Sequence, residues 1–561
     1  MNRSIFLLLL VIAGATAGAV APRPTPGGAR VGATTDPMVR MRPLPAEVPL
    51  GRARLPHSEL ADPRLRAAEM ERRTEPGSAA DLLFLRPDSP HAAEAIARFA
   101  GAIRFRTISN DDGSPIDSTA FRGLHGYLFK AFPNVHRELS YATVGGLSLL
   151  YKWEGLNKSL APMLLAAHQD VVPVDEEAEG RWTYPPFAGV VADEHVWGRG
   201  ALDNKQGVTG ILEAVEQLIA QGFRPQRTIY LAFGHDEERG GHDGARVIAE
   251  HLREQGVRLA LVLDEGGGIF RRWRGIRRSA AVIGIAEKGS LTLELTATSN
   301  GGHSAAPGEQ NPVARISRAV TRLESHPFPA SMPGVTRLSL KSLAPALSPF
   351  QRFVVANNWL FGPLVVSMLK RSPETAPMVR TTVTATVIRG GNKSNRVPTE
   401  ASALVNIRTL PGETLESVTR RVRGIVRDRH IEIRSIGRPR DASPVSTVEG
   451  APYQLLKETI REITPDEEVV IAPYLVPGGT DARHYATLTD AVYRFIGMRL
   501  TRSLVNGFHG ADERLPVVEY LRATALYSRL IQRIDRRDAA IQPPEFLAAC
   551  DSLIHDSCTG R

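Results

Sequence analysis

The chain has 561 residues, 42% hydrophobic and 23% charged, which is too long for one ordinary domain and apolar enough for a sizeable core. Its formal charge of +9 raises nucleic acid as a partner. The excess is diluted among 60 acidic residues, however, with no dense basic block interleaved with aromatics, so no nucleic-acid partner is expected. The only cysteines, Cys550 and Cys558, are too few to build a zinc site alone; in an oxidising space they would close a small disulfide loop, and otherwise they are free thiols.

The chain opens with Arg3, an apolar run from Ile5 to Ala13 and small residues through Ala21. This reads as an export signal, giving a periplasmic or secreted protein, or as an uncleaved anchor giving membrane association through the N-terminus. Residues 22–80, rich in Pro, Gly and Arg, read as a linker or loosely packed arm.

Regular patterning begins near Asp81. A helix is expected over His91–Arg104, strands over Leu147–Trp153 and Pro162–His168, and a helix over Gly207–Gln221. A strand over Thr228–Gly234, a helix over Gly244–Gln255 and a strand over Leu259–Leu263 follow. This alternation argues for an α/β sheet covered on both faces, the first part of a catalytic domain over 81–289.

The character then changes. Ser290–Ser299 alternates as a half-exposed strand does, Asn311–Ser325 is helical, and Arg380–Val387 and Ala401–Arg408 alternate again. A helix over Leu415–Arg429 and a strand over Ile431–Ile436 complete a β-α-β-β-α-β unit, placing a separate α+β domain over 290–440. Residues 328–377 interrupt it with an apolar stretch from Phe353 to Leu369, broken by Asn357, Asn358, Gly362 and Pro363. Ordinary buried helices are expected there; a hydrophobic cap or membrane-touching surface is the alternative. From 441 to the C-terminus the α/β pattern resumes, with a helix over Pro452–Ile463, a strand over Glu468–Ala472 and a helix over Pro516–Arg533.

Chemistry concentrates in clusters, most of them just after an apolar strand, where open α/β sheets place their ligands. HQD holds His168 and Asp170, an imidazole with a carboxylate two residues on, suited to a metal ligand and its orienting partner. GRGALDNKQG holds Asp203 ahead of a helix, where a carboxylate can bridge two cations or simply cap the helix. FGHDEERGG sets Glu237 beside Glu238, like charges that need a cation or proton between them. LVLDEGGG ends an apolar strand in Asp264 and Glu265, and NGFHGADER supplies His509 from a Gly-flanked loop. Oxygen and nitrogen ligands without thiolates suit two Zn2+ ions, with Co2+ or Mn2+ as substitutes.

In this order, HQD, GRGALDNK, GHDEE, LDEGG and HGADE resemble the co-catalytic zinc hydrolases that include aminoacylase, glutamate carboxypeptidase, succinyl-diaminopimelate desuccinylase and carboxypeptidase S. The resemblance spans about residues 90–535. It looks closest to the branch of carboxypeptidase S and N-fatty-acyl-amino-acid hydrolases. It implies a zinc-peptidase catalytic domain interrupted by a ferredoxin-like lid and dimerisation domain. It also implies hydrolysis of the amide of an N-acyl amino acid or short peptide with a free carboxylate, by a carboxypeptidase or aminoacylase type of enzyme.

Carried over by residue, the resemblance implies that His168, Asp203 and Asp264 hold one zinc and Asp203, Glu238 and His509 the other. Asp rather than Glu at position 264 resembles the aminoacylase and carboxypeptidase S side. Glu237 would be the general base, Asp170 would orient His168, and a cis peptide would follow Asp203. His303 of GGHSAAP would stabilise the carbonyl oxyanion, from the same or a partner subunit. Asn395 of NRVP would bind substrate, and Arg408 of NIRTLPG would grip its carboxylate, lined by Gly478, Gly479 and Thr480 of PGGTDAR. A homodimer through the inserted domain is the expectation the resemblance carries, and the insert at 328–377 could block or reshape it.

Overall fold

The computed structural model describes residues 89–110, 114–174, 180–271, 278–308 and 311–536. The expected N-terminal signal or anchor, the expected linker or arm over 22–80 and both cysteines lie outside these residues.

The central element is a ten-stranded sheet. Its middle is parallel: Ile229–Gly234, Met163–His168, Leu261–Asp264 and Val492–Arg494 run side by side. These strands are buried along their whole length, as the continuous apolar runs LLAA, YLAF and LVL require of strands covered on both faces. The helix Lys205–Ala220 lies on one face against the C-terminal helix Val517–Arg536, with Ile211, Leu212, Val215, Leu526 and Leu530 fully buried between them and the sheet. The helix Ala245–Glu254 buries Ile248, Ala249 and Leu252 on the other face.

The parallel register aligns His168 with Gly234 and Leu165 with Leu263. The carboxyl ends of three neighbouring strands therefore open at one edge, and the segments carrying His168, Glu237 and Glu265 emerge together.

After the strand Ser279–Glu287 the chain leaves this sheet through Lys288 and enters a four-stranded antiparallel sheet. There Thr382–Gly390, Glu400–Thr409, Gly289–Thr298 and Ile431–Arg440 lie in that order. Leu291, Leu293, Leu295 and Ala297 alternate inward against Ile316 and Leu323 of the helix Pro312–Ser325 and Val418 and Val422 of the helix Leu415–Val426. The order of strands and helices is the split β-α-β unit expected from the alternation.

The insert between Ser325 and Thr382 is helical, and its parts differ. The helix Gly334–Leu343 packs on the strand Val469–Val476, where Ser339 Oγ donates to the Pro473 carbonyl at 2.5 Å. The pair Pro349–Ala356 and Asn358–Leu369 is instead only partly covered, with Val354, Gly362 and Val365 alone buried in it, contrary to the expectation of buried helices. Among the described residues no single helix is long and apolar enough to cross a membrane; this pair passes that test together but is bent by 112°.

A buried ion pair joins two neighbouring strands of the large sheet, Ser279–Glu287 and Val492–Arg494. Arg494 Nε donates to Glu287 Oε1 at 2.5 Å, and the Thr480 amide and hydroxyl donate to the same carboxylate at 3.1 and 2.7 Å. Both charges are 1% exposed. Burial would raise Glu287, but Arg494 and Arg483 overcome it and hold the carboxylate below its usual range. Removing one partner strands the other charge out of water. Glu287→Ala is expected to lower unfolding free energy by about 3–5 kcal/mol in urea denaturation followed by circular dichroism; a loss below about 1 kcal/mol would show the pair to be dispensable.

Candidate active site

Asp203 is the centre of the site. It sits in the turn before the helix Lys205–Ala220, whose N-terminal end favours negative charge. His168 Nε2 lies 2.9 Å from its Oδ1 and His509 Nε2 lies 3.2 Å from its Oδ2, so one carboxylate faces two imidazoles from opposite sides. The peptide Asp203–Asn204 is cis, as the resemblance implied.

Each half is completed by another carboxylate. Glu265 Oε1 lies 3.3 Å from His168 Nε2, and Glu238 Oε2 lies 3.4 Å from His509 Nε2. The groups His168, Asp203, Glu265 and Asp203, Glu238, His509 each bring their ligand atoms within 4.8 Å of one another and share Asp203.

One expectation is corrected here. Asp264, rather than Glu265, was expected as the ligand beside His168. Asp264 is the last residue of its strand, and successive side chains on a strand leave on opposite faces. Its Oδ1 turns back to accept the Glu265 amide at 2.9 Å, while Glu265 projects into the cluster.

The supporting contacts explain why these side chains meet. Asp170 is fully buried and serves two neighbours. Its Oδ1 and Oδ2 accept the amides of Glu237 and Glu238, both at 3.1 Å, fixing the 3-10 turn that carries them. The same carboxylate lies 3.3 Å from His168 Nδ1, which orients that ring. Gly241 follows the turn at φ +65°, where a Cβ would meet Asp481 Oδ1 at 2.0 Å, so only glycine closes it.

Glu513, 0% exposed, does the same for the other side. It accepts the amides of Gly200, Leu202 and Asp203 at 3.1, 2.7 and 3.2 Å and pairs with Arg199 at 2.5 Å. Arg199 Nη2 in turn donates to the carbonyls of His509 and Gly510, both at 3.2 Å. His509 is held at φ +58°, a conformation uncommon for a residue with a side chain. Residues 200–203 and 509–510, three hundred positions apart, are thus clamped by one ion pair.

The electrostatics are those of a cation site. Burial pushes Glu238 and Glu265 well above the usual carboxylate range, and Asp203 adds to both. Burial opposes charge on His168, but Glu265, Asp170 and Asp203 outweigh it and raise the imidazole well above its usual value. Asp203 is held below its usual range despite burial, by hydrogen bonds from His168 and His509. Glu238 Oε1 is buried without a hydrogen-bond partner. Three crowded carboxylates, two imidazoles and no thiolate fit divalent metal ions with oxygen and nitrogen preference.

Glu237 stands apart from the ligands. Its side chain enters no hydrogen bond or ion pair among the described residues. Burial pushes it up to about 7, with Asp203 and Asp170 adding and His168 and Arg483 opposing. That is where a general base working near neutral pH belongs.

Three guanidiniums, Arg408, Arg440 and Arg483, lie within electrostatic reach of Glu237. Arg408, on the strand Glu400–Thr409, is lowered by burial and by Arg483, with Glu237 opposing. Arg440, at the end of Ile431–Arg440, is pushed down to about 10 by burial, Arg483 and Arg408, against Glu287 and Glu237. Arg483 donates to the Thr480 carbonyl at 2.7 Å and to the Gly240 carbonyl. Arg440 passes directly over Gly479, where a Cβ would lie 1.8 Å from its Nη2. Gly478 borders open space, and Thr480 serves as an anchor to Glu287 rather than as an open donor. Arg440, Arg483, Arg199 and Glu513 were not singled out from sequence; the last two signal themselves only as the Arg of GRGALDNK and the Glu of HGADE.

His303 and Asn395 are placed elsewhere. Both are exposed. His303 pairs with Arg396 in a two-stranded ladder, its Nδ1 accepts the Ala305 amide at 3.1 Å, and the Asn395 carbonyl accepts the Ser304 amide at 3.1 Å. The structure brings these two beside each other and not into the group around Asp203.

The profile of "Peptidase family M20/M25/M40" matches residues 164–533. "Probable carboxypeptidase S-like 2" of Dictyostelium discoideum is 37% identical over 79% of this chain and 85% of its own length. "N-fatty-acyl-amino acid synthase/hydrolase PM20D1" of Xenopus tropicalis is 36% identical over 80% and 87%. Carboxypeptidase S of Saccharomyces cerevisiae is 30% identical over 79% and 84%. Human carnosine dipeptidase 1 shares the fold with a TM-score of 0.58 at 15% identity, over 82% of this chain and 100% of the other. An M20 family metallo-carboxypeptidase of Sulfolobus solfataricus does so with a TM-score of 0.58 at 16% identity, over 79% and 99%. The chain belongs to peptidase family M20/M25/M40 and is a hydrolase of that family.

Proposed function

We propose that the protein hydrolyses the amide bond of an N-acyl amino acid or short peptide that carries a free carboxylate. The observation that carries this reading is the pairing of an Asp203 flanked by two imidazoles with a Glu237 that lies within electrostatic reach of Arg408, Arg440 and Arg483.

Two divalent cations, one at His168, Asp203 and Glu265 and one at Asp203, Glu238 and His509, would supply Lewis acidity to the scissile carbonyl and the attacking water. Zinc fits these donors best, with cobalt or manganese as substitutes. Glu237 takes the proton from the attacking water and delivers it to the leaving amine nitrogen. Asp170 keeps Glu237 aimed, because it holds the backbone of the turn on which Glu237 stands. Arg408 and Arg440 bind the substrate carboxylate as charge-assisted donors, which sets the distance from the chain end to the bond that is cut. Within one chain His303 and Asn395 stand outside the group around Asp203, so a role for His303 at the carbonyl oxygen would require the partner subunit's inserted domain.

Glu237→Ala is expected to keep its metal content, read by elemental mass spectrometry, and to lose turnover by about 10²–10⁴-fold. Glu238→Ala is expected to lose one metal ion. Turnover in Glu237→Ala within about tenfold of wild type would remove the base assignment.

Substitution of either clamp residue, Arg408→Gln or Arg440→Gln, is expected to raise KM about 10–100-fold for N-oleoyl-phenylalanine or glycyl-leucine, from the loss of charged hydrogen bonds worth about 1.5–3 kcal/mol. The C-terminal amides of the same compounds should be poor substrates and indifferent to either change. Equal KM for acid and amide would overturn the carboxylate clamp, and the ratio of the two acids' rates identifies the acyl group preferred.

A further inference from the structure

The helical pair in the insert is built unlike the rest of the described surface. From Phe353 to Leu369 there is no charged residue. The helix Asn358–Leu369 is apolar around its circumference, yet only Gly362 and Val365 are buried. Such a helix is normally enclosed by protein or lipid. Here Trp359 is 81% exposed at the bend, with Phe353 and Leu360 each more than half exposed beside it. The two helices span about 12 and 18 Å at 1.5 Å per residue, too short to cross a bilayer even before the bend.

The charge around this apex is one-sided. Residues 328–377 contain Arg337, Lys341, Arg352, Lys370 and Arg371, all exposed, against Glu374 alone. A second copy of the chain seated here by two-fold symmetry would set the same bases against one another. An anionic lipid surface is complementary both to the bases and to the apolar apex, and exposed Trp beside Leu and Phe is the side-chain set that lodges at the headgroup boundary.

We propose that the bent helical pair 349–369 is a docking element that seats the enzyme on an anionic bilayer surface without crossing it. Trp359, Leu360 and Phe353 enter the headgroup boundary, and Lys370, Arg371 and Arg352 lie against lipid phosphates. This does not depend on the catalytic reading, since none of these residues belongs to the site.

The test is quenching of tryptophan fluorescence in the full-length chain by vesicles of brominated phosphatidylcholine, with and without phosphatidylglycerol. Wild type is compared with Trp359→Phe, so the difference reports this position whatever other segment binds lipid. Expected is bromolipid quenching that is mostly lost in Trp359→Phe and stronger with phosphatidylglycerol. Lys370→Gln with Arg371→Gln should weaken binding to anionic vesicles roughly fivefold per base. An unchanged thermal midpoint in each variant shows that folding is intact. No Trp359-dependent quenching in either vesicle overturns the proposal. So does a dimer in solution whose Trp359 stays unquenched by vesicles, which would make the second copy the occupant. Equal quenching in neutral and anionic vesicles overturns the role of the bases.

Discussion

One carboxylate, Asp203, has to face two imidazoles that lie more than three hundred residues apart in the chain. Everything else in the site follows from how the fold meets that constraint. Neither the strand carrying His168 nor the loop carrying His509 is placed by local sequence. Buried acids link them to their neighbours: Asp170 accepts the amides of the Glu237–Glu238 turn beside His168, and Glu513 accepts those of the Gly200–Asp203 turn while its partner Arg199 donates to the His509 carbonyl. Donors of this kind offset the cost of burying a carboxylate, and here they belong to the segments that must be held. Desolvation of the acid and positioning of the ligands are thus one arrangement.

The same logic separates the ligands from the base. Glu237 and Glu238 are adjacent, share the support of Asp170, and are both raised by burial. Glu238 turns to His509, while the Glu237 side chain has no hydrogen-bond or ion-pair partner among the described residues and feels the Arg483 guanidinium only at longer range. On the proposed reading, a proton acceptor near both the cation ligands and the guanidiniums is what cutting a substrate next to its free acid demands. The inserted domain contributes to this through Arg408 and Arg440, which come from two strands of its four-stranded sheet. On the proposed reading that domain helps define the substrate even though no residue of it stands in the group around Asp203.

Much of this was legible in sequence because the buried parallel strands are continuous apolar runs that end abruptly in acids and histidine. The strands ending in His168, Gly234 and Asp264 fall within two residues of expectation. The strand Ser279–Glu287 was not legible, since it is buried on both faces and made of small residues, so it carries no alternation. The choice between Asp264 and Glu265 was equally hidden: two neighbouring acids at a strand end differ only in which face each leaves from. Arg440 and Arg483 read as ordinary surface arginines until the tertiary fold turns them towards Glu237. The apolar helices of the insert were misjudged because composition records what a segment is made of and not whether anything covers it.

The central claim is that Asp203 is shared by two metal ions. Its most direct test is calorimetric titration of Zn2+ into the chelator-stripped chain, in wild type and Asp203→Ala. Two tightly bound ions per chain in wild type, with neither retained at comparable affinity in Asp203→Ala, is the predicted result. A single ion in wild type, or a variant that still binds two, would contradict it.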